Sequence, residues 1–332
     1  MTVHDFAWSH GRVEVLSTAA MLSRCVFDLG GVEFEPFARA DWVGTGVSGH
    51  PGHLRELAGE FVCLPFGEGG EVRNVATEWA GVIGSSANNP PHGRAADAEW
   101  EIAELREGGI TLRLDYPDDD SIISLERRID GVPGAPSLNL SLTINARREL
   151  RTSVGLHPII RLPTRPGALR LSAGFDVGLT YPASLQPEAT QAVPGRRFQN
   201  LAEIPVRAGG SQDFGSLPFN NPTEEVLQLC GVREPITVEF LDEAAALEID
   251  WDHQLLPSAQ LWIADRALGT DPWNSRYRGL GIEPIAAAFD LADSISTLPN
   301  PINDMGFATS IALVPDEPLI IRYGFKAYSR KK

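Results

Sequence analysis

The sequence predicts an all-β protein built as a large antiparallel β-sandwich with a few short helices. Three observations carry this. Apolar and polar residues alternate with period two along many short stretches, as expected where one sheet face is buried and the other wet. Turn-formers punctuate them, with 32 glycines and 25 prolines in 332 residues. Helical signals are few and short.

The strand signals run through the chain in order. They are the stretches 111–116, 121–129, 137–145, 168–179, 236–251, 260–264 and 318–327. In 137–145 the side chains of Leu138, Leu140, Leu142 and Ile144 fall on one face. Asp118-Asp119-Asp120 lies between the first two stretches and lacks calcium-loop spacing, so it reads as a solvated hairpin tip. Three connectors read as helices: 53–58, 286–292, and 223–229, where Thr223 stands as N-cap ahead of Glu224 and Glu225. No internal repeat or long linker interrupts the pattern. A single domain over 1–332 is expected, with 1–26 peripheral to it.

A hydrophobic fraction of 43% suffices for a sizeable core. The formal net charge of −16 repels nucleic acid and anionic membrane surfaces, so neither is an expected partner. Cys25, Cys63 and Cys230 are far apart and form no C-x-x-C pair, which points to a reducing compartment rather than a disulfide framework. The first residues lack the apolar core of a secretory signal, and no apolar run approaches the ~20 residues of a membrane-spanning helix. A cytoplasmic location is expected.

Two motifs match familiar patterns without their mechanism. Gly44-Thr45-Gly46-Val47-Ser48-Gly49 fits G-x-G-x-x-G, but His50-Pro51-Gly52 follows at once, where a helix would have to open onto a pyrophosphate. A surface loop is the expectation. His50 and His53 flank Pro51-Gly52, which fixes no geometry between the rings, and no third ligand lies nearby in sequence. No metal and no cofactor are expected.

Three segments place an acid/base-capable side chain beside Gly or Pro: Pro90-Pro91-His92-Gly93, Gly155-Leu156-His157-Pro158 and Gly281-Ile282-Glu283-Pro284. Singly, each residue has an ordinary structural reading. Glu283, however, sits in an otherwise apolar strand end, where desolvation raises a carboxyl's pKa toward the range of a general base. His157 stands where a strand leaves the sheet, and His92 lies in a loop stiffened by two prolines. Strand ends and loops on a rigid scaffold are where sites are built.

The order His-Gly, Gly-x-His-Pro, Gly-x-Glu-Pro resembles the galactose mutarotase (aldose 1-epimerase) superfamily. Phe61-Val62-Cys63-Leu64-Pro65-Phe66-Gly67, Ala98-Glu99-Trp100-Glu101-Ile102, Gln260-Leu261-Trp262-Ile263 and Met305-Gly306-Phe307 fit that order, so the resemblance spans about Phe27 to the C-terminus. It implies a β-supersandwich with a sugar cleft and a small-molecule carbohydrate partner. It also implies interconversion of α and β anomers by acid/base ring opening, with Glu283 as base, His157 as acid and His92 as partner. The alternative is a carbohydrate-binding protein on the same fold without catalysis. Trp262, Trp273, Phe66 and Trp100 stand as sugar platforms or as core packing. Arg94 stands as a substrate contact or a surface ion pair, and Asp252 falls near the position of a hydroxyl-binding aspartate in the family. The better-known members carry an arginine in the segment before the His-Gly; here that stretch is Cys63-Leu64-Pro65-Phe66-Gly67, with no arginine from there until Arg73. Arg266, Arg276 and Arg278 stand near the glutamate strand as phosphate or carboxylate ligands or as solvated loop charges. The sugar and the oligomeric state are not legible.

Overall fold

A computed structural model describes residues 2–68, 75–82 and 90–330; Arg73 lies outside the described residues. Two large antiparallel sheets form the sandwich. Among the described residues one has nine strands, with Ile236–Phe240, Ala245–Trp251, Leu319–Ser329, Ser137–Ala146, Ile122–Gly131 and Gly109–Asp115 running side by side. The other has eight and is centred on Thr223–Cys230, Ser258–Asp265 and Arg278–Ala286. A four-stranded meander, Val3–Trp8, Gly11–Leu16, Leu22–Asp28 and Glu33–Phe34, precedes both.

Alternation explains the core. In Ser137–Ala146, Leu138, Leu140, Leu142 and Ile144 are buried and meet Leu227, Leu261, Ile263 and Ile282 of the eight-stranded sheet in one hydrophobic cluster. Phe6, Val13, Val15 and Phe27 of the N-terminal meander join the same cluster, so residues within 1–26 are part of the core rather than peripheral to it. The cysteines are free and buried. Among the described residues no helix is long and apolar enough to cross a membrane.

Three sequence expectations need correction. Residues 223–229 are a strand, Thr223–Cys230, buried along its whole length. Burial on both faces erases the alternation, and two acids after a threonine then imitate a capped helix. In the stretch 286–292, Ala286 ends strand Arg278–Ala286 and 287–292 bends and turns into a short helix, Asp293–Ser296. The stretch 168–179 is two strands in different sheets, Leu169–Ser172 and Val177–Thr180. The 53–58 signal is met by a single turn of helix, Gly52–Arg55. Asp118-Asp119-Asp120 forms the turn between Gly109–Asp115 and Ile122–Gly131, and Gly44–Gly49 lies in turns.

Candidate active site

The eight-stranded sheet turns one face to the core and the other to a cavity. In register, Gln260 pairs with Glu283, Trp262 with Gly281, and Val226 with Trp262. Residues two apart on a strand share a face, so Glu224, Val226, Gln260, Trp262 and Glu283 line one surface. Their neighbours Leu227, Leu261 and Ile282 point into the core. The cavity over this face measures about 390 Å³ and is closed by His53, Phe61, Glu68, His92, His157, Tyr181, Trp273 and Asp290 among others.

Backbone structure fixes both histidines. Strand Val154–Leu156 ends at His157, whose N–H donates to the Phe61 carbonyl at 2.8 Å. Its ring stacks on Phe61 with centroids 4.4 Å apart. His92 sits at φ 57°, followed by Gly93 at φ 73°. A side chain at Gly93 would collide with the Leu64 carbonyl, so only glycine lets this left-handed corner dock on the strand end. The rings of His92 and His157 meet edge to face at 5.1 Å.

His157 Nε2 faces Glu283 Oε1 at 3.5 Å, and both residues are buried. Gln260 Nε2 donates to the other Glu283 oxygen at 2.8 Å. Burial, with Asp290 and Glu68 adding negative charge nearby, pushes the Glu283 carboxyl well above the ordinary range. Burial, reinforced by His92 and His53, holds the His157 imidazole well below its usual value. Both effects favour the uncharged forms, as expected for ionisable groups in a desolvated site.

The structure gathers Glu283, His157, His92, Trp262 and Trp273 around this cavity. Phe66 packs behind, against His92 at 5.3 Å between rings, and does not line it. Arg94 lies on helix Gly93–Asp97 with its guanidinium over the Tyr116 ring, away from the lining. Asp252 follows strand Ala245–Trp251 of the other sheet and lines a separate groove with Asp250, Arg322 and Lys326. Trp100 is buried and donates to the Ala95 carbonyl at 2.9 Å, as a core residue would. Arg266 and Arg278 both pair with Asp265, at 2.9 Å and 2.8 Å, and Arg276 pairs with Asp41 at 2.7 Å. None of these three arginines lines the cavity.

Sequence reasoning gave no site role to Glu224, Asp290 or Glu68, named Gln260 only within a family-like segment, and set His53 aside as a metal ligand with His50. Glu224 accepts from Trp262 Nε1 at 2.7 Å, while its second oxygen is buried without a partner. Burial pushes its carboxyl up to about 8. A raised carboxyl pKa contributes stability that is complete below the ordinary value of 4.5 and is lost as pH rises through about 8. Glu224→Gln should remove that loss, because the amide oxygen can still accept from Trp262. The variant's advantage in unfolding free energy is expected to be near zero at about pH 5 and to grow to as much as about 5 kcal/mol by about pH 9. Urea titrations at the two pH values check this; a pH-independent difference would refute it.

No family model matches the sequence, and no curated protein matches it. Solved structures do match over nearly the whole chain. The Slr1438 protein from Synechocystis shares 14% identity and superposes with a TM-score of 0.66, covering 99% of this chain and 96% of its own. The GalM/aldose epimerase homologue from C. elegans shares 11%, with a TM-score of 0.62 and 99% of each chain covered. A galactose mutarotase-like protein from Lactobacillus casei shares 10%, with a TM-score of 0.61, covering 98% of this chain and 100% of its own. At such identities the likeness establishes the fold: this is the galactose mutarotase-like β-sandwich.

Proposed function

We propose that the protein is an aldose 1-epimerase that interconverts the anomers of a sugar by paired proton transfer in this cavity. The observation that carries the reading is the buried pair His157–Glu283, 3.5 Å apart, with His92 at its side. In the proposed cycle, ionised Glu283 takes the anomeric hydroxyl proton while protonated His157 gives a proton to the ring oxygen. The C1–O5 bond breaks, leaving an open-chain aldehyde beside a neutral carboxylic acid and a neutral imidazole. That is the protonation state burial favours, so the desolvated site stabilises the intermediate rather than only the closed ring. Rotation about C1–C2 and return of both protons close the ring as the other anomer. Trp262 and Trp273 offer apolar surface for a sugar face, and the unpaired Glu224 oxygen offers a hydroxyl partner.

The active pair carries a single proton, so activity fails at low pH only when a second one arrives. That proton must go to His157, whose imidazole is held well below 6.5. The acid limb of kcat/KM is therefore expected below that ordinary value. An acid limb at the usual imidazole pKa would show that a solvated histidine, not His157, controls the reaction.

Saturation-transfer NMR across hexoses, pentoses, 6-phosphosugars and uronic acids tests the reading as a whole. Exchange above the buffer rate for at least one sugar is expected. Thermal stabilisation by a sugar without exchange would favour a carbohydrate-binding protein instead.

A further inference from the structure

His53 and His92 come from separate segments, and Glu68 follows the loop after strand Val62–Cys63. The fold brings the three to one end of the cavity, where each offers one ligand atom and these atoms lie within 4.8 Å of one another. In sequence, His53 has only His50 nearby; in the structure, His50 instead pairs with Asp271 at 3.1 Å and His53 faces His92 with ring centroids 5.2 Å apart.

We propose that His53, His92 and Glu68 bind a divalent transition-metal ion, best matched by zinc, beside the sugar cavity. Two imidazoles and one carboxylate form a donor set that zinc uses in sites with an open fourth position. Both histidines are more than nine-tenths buried, and Nδ1 of each is without a hydrogen-bond partner. The His53 ring is also hydrogen-bonded to the Ala96 carbonyl, the kind of outer contact that orients a metal-binding imidazole. Zinc–ligand bonds of about 2.0–2.2 Å put tetrahedral ligand atoms ~3.4 Å apart. Glu68 is exposed, and its Oε1 is 3.4 Å from His92 Nε2, already at that spacing. The surrounding field suits a cation: Glu68, Glu224, Glu283 and Asp290 line the cavity, and no lysine or arginine does among the described residues. Since all three ligands line the cavity, the fourth position opens toward it.

The inference is independent of the epimerase reading, and its test reads binding rather than turnover. Zinc should bind the purified, metal-stripped full chain with a single equivalent per molecule in calorimetry against a competing chelator. Glu68→Gln, at an exposed position that leaves the fold intact, and His53→Gln should each weaken binding by at least ~10-fold. Glu283→Gln should bind zinc as the unaltered protein does while losing sugar exchange, which separates the two proposals. Absence of stoichiometric binding would overturn the assignment. So would binding that neither Glu68→Gln nor His53→Gln weakens, as expected if a surface histidine such as His253 holds the ion.

Discussion

The Glu283→Gln protein is expected to fold as the unaltered chain does and to lose anomer exchange, with kcat down by about 10²–10⁴-fold. The substitution is close to isosteric at a fully buried position, so it leaves no cavity. It also needs little rearrangement of partners. Gln260 Nε2 can still donate at 2.8 Å to the amide oxygen, and the amide nitrogen takes the oxygen's place facing His157. Because burial already favours the neutral carboxyl, a neutral amide should hold or slightly raise stability near neutral pH. What disappears is the ability to accept a proton. The loss should therefore fall on kcat with KM nearly unchanged, since an interaction specific to the transition state has been removed. Equal exchange rates in the two proteins would end the epimerase reading, and a parallel rise in KM would demote Glu283 to a binding contact.

The residues of this pair were legible in the sequence because the backbone around each is unusual. The proline beside His157 does mark a strand end, after Val154–Leu156, but Glu283 lies inside strand Arg278–Ala286, paired with Gln260, and reaches the cavity from the sheet face rather than from a strand end. The strand 137–146 was equally legible, because one face is buried and the other is not. Glu224 was hidden for the opposite reason. Its strand is buried on both faces, one Glu224 oxygen accepts from Trp262, Glu225 accepts from the Gln191 and Ala192 backbone N–H groups, and none of those partners is near in sequence. Asp252 shows the complementary failure. Its position along the chain suited a sugar contact, but strand Ala245–Trp251 pairs with Leu319–Ser329 in the other sheet. His53 and Glu68 meet His92 only through tertiary packing, which no local pattern encodes.

Replacing Arg127 by Met is expected to cost about 3–5 kcal/mol of stability. Arg127 and Glu60 are both fully buried. Arg127 lies on strand Ile122–Gly131 of the nine-stranded sheet; its guanidinium donates to the Glu60 carboxylate and, at 2.5 Å, to the Ala20 carbonyl. Tyr323 donates its hydroxyl to the other Glu60 oxygen at 3.2 Å. The cluster thus ties the N-terminal meander, the nine-stranded sheet and the segment leading to Phe61. Removing Arg127 alone strands a buried carboxyl and orphans the Ala20 carbonyl, and each uncompensated group brings a desolvation penalty. Pairing the change with Glu60→Met should restore the part of the loss due to the stranded charge, while the Ala20 carbonyl and the Tyr323 hydroxyl stay without these partners. Urea denaturation of the two single variants and the double variant measures the coupling directly. Additive losses would mean that the charges act through separate partners. Because Phe61 carries the stacked rings of His53 and His157, the Arg127→Met protein should also show weakened sugar exchange below its unfolding transition. The double variant should recover part of both stability and exchange, linking the buried charge pair to the geometry of the proposed acid/base pair.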